Sequence, residues 1–264
     1  LTLEGSATLH QFFAFDWTAW KTTPAAEREA IAAEAVRVLG ELCEGAKSGV
    51  FSQLGHKGDL LLVHFRPTFE ELNQIELTLA QTRLYAFLTL KHSYVSVVEM
   101  GLYESTRKTF EAAAAKGFEP HTPEWDADVA ESMGRAKTAM ASRLFPTIPE
   151  WKFVCFYPMD RKRDEVKNWY TVPFAERQKM MHEHGMVGRR YGDVVKQIIT
   201  GSIGMDDWEW GVTLFSEDPI VFKKLIYEMR FDVVSAEYAL FGQFFLAIKL
   251  PVEKLTDWLS GKLG

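Results

Sequence analysis

The second half of the chain gathers side chains that a purely structural repeat has no use for. Tyr157-Pro158-Met159-Asp160-Arg161-Lys162-Arg163 ends a strand-like run and sets a phenol just before a triplet of cations. Strand alternation puts Phe153, Cys155 and Tyr157 on one face. If that face looks into the interior, Tyr157 stands at a cavity mouth; the other reading is an interfacial tyrosine beside a solvated basic turn. His184 lies on a helix-like segment, with Met180 and Met181 one turn earlier on the same stripe. A haem iron held by one proximal histidine needs an imidazole projecting from a rigid element into an apolar slot. Gly185 and Gly188 clear side chains beside it and would let a flat ligand approach. The competing reading is a satisfied histidine at the core edge, and His182 points elsewhere, toward solvent. Asp206-Asp207 suggests a divalent cation, yet adjacent carboxylates in a strand point to opposite faces, which favours a solvated turn. Arg230 ends a helix, either as a partner of its dipole or as an anion clamp. No glycine-rich phosphate loop, His-Glu-x-x-His or nucleophile elbow occurs.

These residues need elements to hold them, and periodicity supplies a repeated set. Residues 8–15 and 151–158 read as strands, each followed by a turn and a helix, about Ala25 to Cys43 and about Phe174 to Val187. Pro24 and Pro173 suit helix starts. Gly55 and Gly204 then open matching turns, each feeding a strand, and amphipathic helices follow from Pro67 to Leu79 and from Pro219 to Met229. Apolar strands at 92–99 and 242–248 close the two halves. The order β-α-β-β-α-β, twice, is the ferredoxin-like split-βαβ arrangement and predicts two sheets face to face. The expected organisation is an α+β chain with a ferredoxin-like repeat over 1–103, a partly helical, solvated connection over 104–150, and a second repeat over 151–264 carrying the site. A short helix around 252–259 is expected to pack on the outside.

Composition narrows the function classes. The 264 residues are 47% hydrophobic and 25% charged, ordinary for a folded globular protein. The formal charge of −6 lacks the broad basic surface that nucleic acid demands. The longest apolar run, Leu60 to Phe65, is far short of the roughly 20 residues of a membrane span. The first residues show no basic and apolar leader, and Cys43 and Cys155 alone make no disulfide framework. A reducing cytoplasm is the expected location.

Taken in order along the chain, the blocks of residues resemble the chlorite dismutase family, and within it the branch that decarboxylates coproheme. The blocks are Cys155-Phe156-Tyr157-Pro158-Met159, Asn168-Trp169-Tyr170, His184-Gly185 with Gly188-Arg189, Gln197-Ile198-Ile199, Gly201-Ser202-Ile203-Gly204, Asp207-Trp208-Glu209-Trp210-Gly211-Val212 and Glu228-Met229-Arg230-Phe231-Asp232 with Ser235-Ala236. The first half agrees through Leu9-His10, Asp16-Trp17, Gly55-His56-Lys57-Gly58-Asp59-Leu60 and Tyr94 to Glu99. The resemblance implies a dimeric α+β barrel within one chain and a cytoplasmic homopentamer. It implies that hydrogen peroxide drives loss of two propionate carboxyls from iron-coproporphyrin III (coproheme), leaving haem b, the last step of haem biosynthesis by that route. Carried over by motif, Tyr157 is the redox-active tyrosine, His184 the iron ligand and Gln197 the distal residue. Arg143, Tyr157, Pro158, Met159, Asp160, Arg161 and Ser235 hold propionates, and Arg230 assists. The sequence departs from the pattern at Arg161 and Val194, where lysine is usual, and at Phe145, where tyrosine is usual; all three are expected within reach of a propionate. A chlorite-degrading enzyme is expected to carry arginine where this chain has Gln197. That activity, a haem peroxidase, and a non-catalytic haem or coproheme carrier or sensor are the alternatives.

Overall fold

In the computed structural model, which describes residues 1–263, the strands are β1 (Thr2–Phe15), β2 (Ser48–Gln53), β3 (Leu60–Arg66), β4 (Leu88–Gly101), β5 (Phe153–Arg161), β6 (Lys196–Gly201), β7 (Trp210–Ser216), β8 (Ala239–Phe241) and β9 (Phe245–Lys249). The helices are α1 (Trp17–Thr22), α2 (Ala25–Cys43), α3 (Phe69–Ala80), α4 (Tyr103–Ala115), α5 (Pro123–Ala139), α6 (Ala141–Leu144), α7 (Phe174–Arg190), α8 (Ile220–Met229), α9 (Val233–Tyr238) and α10 (Leu255–Leu259). Strand order runs β4-β1-β3-β2 in the first half and β9-β5-β7-β6 in the second, so corresponding strands hold corresponding places. Among the described residues no helix is long and apolar enough to cross a membrane.

The expectation of two sheets face to face needs correction. Their edges are hydrogen-bonded together, β4 to β6 through Val97↔Gly201 and Val98↔Thr200, and β2 to β9 through Phe51↔Lys249, Ser52↔Ile248 and Gln53↔Ala247. Every pairing is antiparallel, and β5 with β7 completes a closed barrel that leaves no open edge at those seams. Its interior is filled by Phe12, Phe51, Leu61, Val63, Phe65, Tyr94, Phe156, Phe215 and neighbouring apolar residues. His10 also lies inside, stacked on Phe156 at 4.2 Å with its Nε2 2.9 Å from Thr213 Oγ1.

The last strand starts later than its apolar pattern suggests. β8 pairs with Met159 to Arg161 and β9 with Phe153 to Phe156, so residues 242–244 interrupt one line of pairing along β5. A side chain at Gly242 would meet Pro158 Cγ at 2.7 Å, which is why glycine stands at the interruption. The connection is a packed helical hairpin: Thr122 caps α5, Pro123 opens it, and Phe110 of α4 packs on Trp125 at 5.4 Å. The C-terminal helix is not peripheral. Leu255, Trp258 and Leu259 are buried with α2 in the core over the first sheet, and Trp20 Nε1 donates to Leu259 O at 2.9 Å.

Candidate functional site

On β5 the residues alternate between two packed environments. Val154 and Phe156 belong to the barrel interior, whereas Phe153, Cys155, Tyr157 and Met159 belong to a cluster with Val212, Leu214, Phe222, Leu225 and Met229. The face bearing Tyr157 thus looks outward, into the layer between the sheet and α7 and α8, and not into the barrel. In that layer lies a cavity of about 1350 Å³, above the roughly 300–1,000 Å³ of clefts for drug-sized ligands. β5, β6 and β7 form its floor, α7 its roof, and residues 99–106 with Met140 and Arg143 close one side. The first half and the connection therefore complete a site built on the second half.

Helix α7 presents Arg177, Met181, His184, Gly185 and Gly188 to the cavity, a stripe at helical spacing. Met181 faces in while Met180 does not, and His182 is exposed. His184 Nδ1 lies 3.0 Å from Asp232 Oδ2. Asp232 caps α9 and also accepts from Ser235 N at 2.9 Å and Ser235 Oγ at 3.1 Å. Burial alone would raise its carboxyl; the hydrogen bonds from His184 and Ser235 outweigh that and hold it below the usual carboxylate range. A carboxylate acceptor fixes the proton on Nδ1 and leaves the lone pair on Nε2, the arrangement that orients a metal-binding imidazole. Around it Gly185 has no atom within 4 Å of a would-be Cβ, and at Gly188 a Cβ would meet Gln197 Nε2 at 3.3 Å. Among the described residues no group of three His, Cys, Asp or Glu side chains could hold a bare metal ion.

Tyr157 is buried, stacked on Phe244 at 4.6 Å and near Phe241 at 5.8 Å, both flanking the interruption between β8 and β9. Burial raises its phenol, with Cys155 adding and Arg230 and Arg161 opposing, so the hydroxyl keeps its proton. Arg161, at the end of β5, lies over the rings of Trp169 at 5.0 Å and Trp210 at 5.8 Å. Its Nη1 is buried and has no partner among the described residues, and burial lowers its pKa. Arg143, Arg177, Arg189 and Lys196 also line the cavity, and none of these five cations forms a salt bridge among the described residues. Glu99 reaches the same wall from β4, its carboxyl raised by burial and by Glu4 against a hydrogen bond from Trp210.

Of the residues singled out from sequence, Arg143, Tyr157, Met159, Arg161, His184, Gln197 and Ser235 line the cavity. Pro158 and Asp160 do not, because strand alternation turns them to the other face; Asp160 Oδ1 accepts from Glu209 N at 2.7 Å. Arg230 stands outside the lining with its guanidinium 3.8 Å from the Phe241 ring, and Ser235 spends its hydroxyl on Asp232. Phe145 and Val194, two of the departures expected near a propionate, are exposed and outside the lining. Asp206 and Asp207 lie in a turn and not a strand, where Asp206 Oδ2 accepts from Val95 N at 2.9 Å. Sequence reasoning passed over Arg177, although it stands two helical turns before His184, and Asp232, whose partnership spans a distance that no local pattern reports.

Comparison with known proteins adds the following. The family model described as chlorite dismutase matches residues 28–250. A coproheme decarboxylase of Oceanobacillus iheyensis is 41% identical over 265 residues, covering 98% of this chain and 98% of that protein. A solved structure described as a novel heme-binding protein from Thermus thermophilus superposes with a TM-score of 0.83 at 38% identity, covering 98% of this chain and 97% of that one. Chlorite dismutase from Candidatus Nitrospira defluvii superposes with a TM-score of 0.71 over 97% of this chain and 96% of that one; at 19% identity this likeness speaks for the fold alone.

Proposed function

The chain belongs to the chlorite dismutase family, and from that premise we propose that it is a coproheme decarboxylase, removing two propionate carboxyls from iron-coproporphyrin III to give haem b with hydrogen peroxide as oxidant. The observation that carries this reading is one imidazole, braced by Asp232, facing a cavity whose arginines form no salt bridge among the described residues. At Arg161, whose Nη1 is buried without a partner among the described residues, a ligand carboxylate relieves the cost of an unpaired buried cation; the exposed Arg143 and Arg189 add attraction at the cavity rim. Each charge-assisted hydrogen bond returns about 1.5–3 kcal/mol. The 41% identical relative named coproheme decarboxylase supports the same substrate.

His184 would hold the iron through Nε2, with Asp232 behind it, and Gly185, which faces open space, would admit the flat ring. Arg161, Arg143, Arg177 and Arg189 are the groups to receive carboxylates, and Met159 packs beside them. Gln197 offers a neutral amide from the sheet side. The bound iron supplies the means by which peroxide acts as a two-electron oxidant. Tyr157 passes that oxidation on: its phenol yields an electron and a proton, then regains a hydrogen from the propionate carbon β to the carboxylate. Burial suits this role because it keeps the phenol protonated. Loss of a second electron and of CO₂ from the same arm leaves the vinyl group. Each arm consumes one peroxide and one proton and releases one CO₂ and two waters.

The test is anaerobic addition of peroxide to the protein loaded with ferric coproporphyrin III, followed by mass analysis. Two successive losses of CO₂ are expected; bleaching of the porphyrin with no loss would overturn the reading. The same reading includes a cytoplasmic homopentamer, for which light scattering should return five chain masses and a monomer would contradict.

A further inference from the structure

Arg161 is unusual in what does not pair with it. Two carboxylates act on its charge, Asp232 more than Glu209, yet neither takes the guanidinium: Asp232 is engaged with His184, and Glu209 binds the Arg161 main chain. Glu209 Oε2 accepts the Arg161 main-chain N–H at 2.9 Å and its Oε1 lies 3.5 Å from Arg163 Nε. The Glu209 main chain is held in return, its N–H donating to Asp160 Oδ1 at 2.7 Å and its carbonyl accepting from Ser202 N at 2.8 Å. Asp160 and Glu209 therefore clasp the end of β5 to the start of β7 from both sides. With the strand end fixed, the Arg161 side chain runs over Trp169 and Trp210 in the cavity wall, its Nη2 donates to Met181 Sδ at 3.7 Å, and Nη1 is buried with no partner among the described residues.

We propose that Glu209 is a positioning residue: by binding the main chain of Arg161 and not its side chain, it aims the guanidinium at the cavity and leaves it free for one carboxylate arm of the substrate. The proposal rests on the coproheme reading above. A carboxylate free to swing would compete with the substrate for the guanidinium; here Oε2 is held by the Arg161 main-chain N–H at 2.9 Å, and Oε1 faces Arg163 at 3.5 Å. The Trp169 and Trp210 rings, 5.0 Å and 5.8 Å from the guanidinium carbon, pack against a planar group that can meet a carboxylate with two prongs, which an ammonium cannot do.

The test is a spectrophotometric titration with ferric coproporphyrin III of the wild type, Glu209→Gln, Arg161→Gln and the double variant, with thermal melts alongside. Glu209→Gln should raise the dissociation constant about tenfold, the loss of roughly one well-placed charge-assisted hydrogen bond. The double variant should bind no more weakly than Arg161→Gln alone, because Glu209 acts through that guanidinium. Additive losses, or no loss in Glu209→Gln, would overturn the proposal. Asp160→Asn loosens the same clasp while leaving Glu209 in place, and should weaken binding in the same direction; if Glu209→Gln does not fold, an unchanged affinity in Asp160→Asn overturns the proposal by itself. Failure of the wild type to bind the porphyrin would instead overturn the functional reading.

Discussion

Helices α2 and α7 stand at the same place in two matching element orders, and they meet their sheets in opposite ways. α2 buries Ile31, Ala32, Ala35, Val38 and Leu39 against Leu60, Leu62 and Leu79, and the space left there is about 10 Å³. α7 has no buried residue and leaves about 1350 Å³ between itself and the sheet. Where α2 offers isoleucine, alanine and leucine, α7 offers Arg177, Met181, His184, Gly185 and Gly188. One fold thus serves two ends: the filled copy and the barrel interior stabilise the molecule, and the copy deprived of apolar contacts becomes the site. The open copy can exist because its floor belongs to a barrel closed through both seams.

The contrast is sharpest under truncation. Leu62→Ala, in the filled copy, should cost about 2–5 kcal/mol in denaturant melts while leaving porphyrin affinity unchanged. Met181→Ala, on the open side, should stay within about 1 kcal/mol. Equal losses would break the distinction. Tyr157→Phe should lower the rate of decarboxylation roughly a hundredfold or more, read as CO₂ loss by mass, with coproheme affinity nearly unchanged. A peroxidase of this fold would persist in that variant.

Acid should weaken the packed parts of the molecule, the barrel interior at His10 and the first half at His64. His10 and His64 are buried in the first half, and burial pushes each down to about 3, with Arg66 and His10 adding to the effect at His64. An unfolded imidazole titrates near 6.5. Between those values the unfolded chain binds more protons, so stability is full above about pH 6.5 and falls as the pH drops toward 3. The slope is about 1.4 kcal/mol per pH unit for each histidine. Denaturant melts at pH 7 and pH 5 measure it, and His64→Gln should flatten the dependence. The smallest effect is expected of Arg177→Gln, whose part-exposed guanidinium should change coproheme affinity roughly three- to tenfold. Arg37→Gln, which breaks only the exposed pair with Glu41 on α2, should leave it unchanged.

Much of this was legible in the residues, for identifiable reasons. The span of α2, the start of α7 and the β-α-β-β-α-β order follow from local periodicity and from proline at helix starts, whereas the strand expected at 151–158 lies at Phe153–Arg161 and α7 runs on past Val187 to Arg190. Closure of the sheet was not legible, because pairings such as Val97↔Gly201 join strands distant in sequence. Alternation grouped Tyr157 with Cys155 and Phe153, but it carries no sign for which face is the barrel interior. The interruption at 242–244 hides inside an apolar run that reads as continuous, and the close approach to Pro158 that makes glycine necessary there comes from another strand. At the site, the glycine neighbours of His184 left two readings open, an iron ligand or a satisfied core-edge histidine, and it was the family resemblance that singled it out. The Asp232 brace and the Glu209 clasp depend on loops brought together only by the fold. Phe145 and Val194 show the converse: motif positions that draw attention as departures, yet stand outside the cavity.

The central claim is that the open side of the second copy is a porphyrin site organised by His184. The direct measurement is the visible spectrum of ferric coproporphyrin III titrated with the wild type and with His184→Ala at matched stability. The account predicts a saturable Soret shift in the wild type that His184→Ala changes or abolishes; the same shift in both proteins would contradict it.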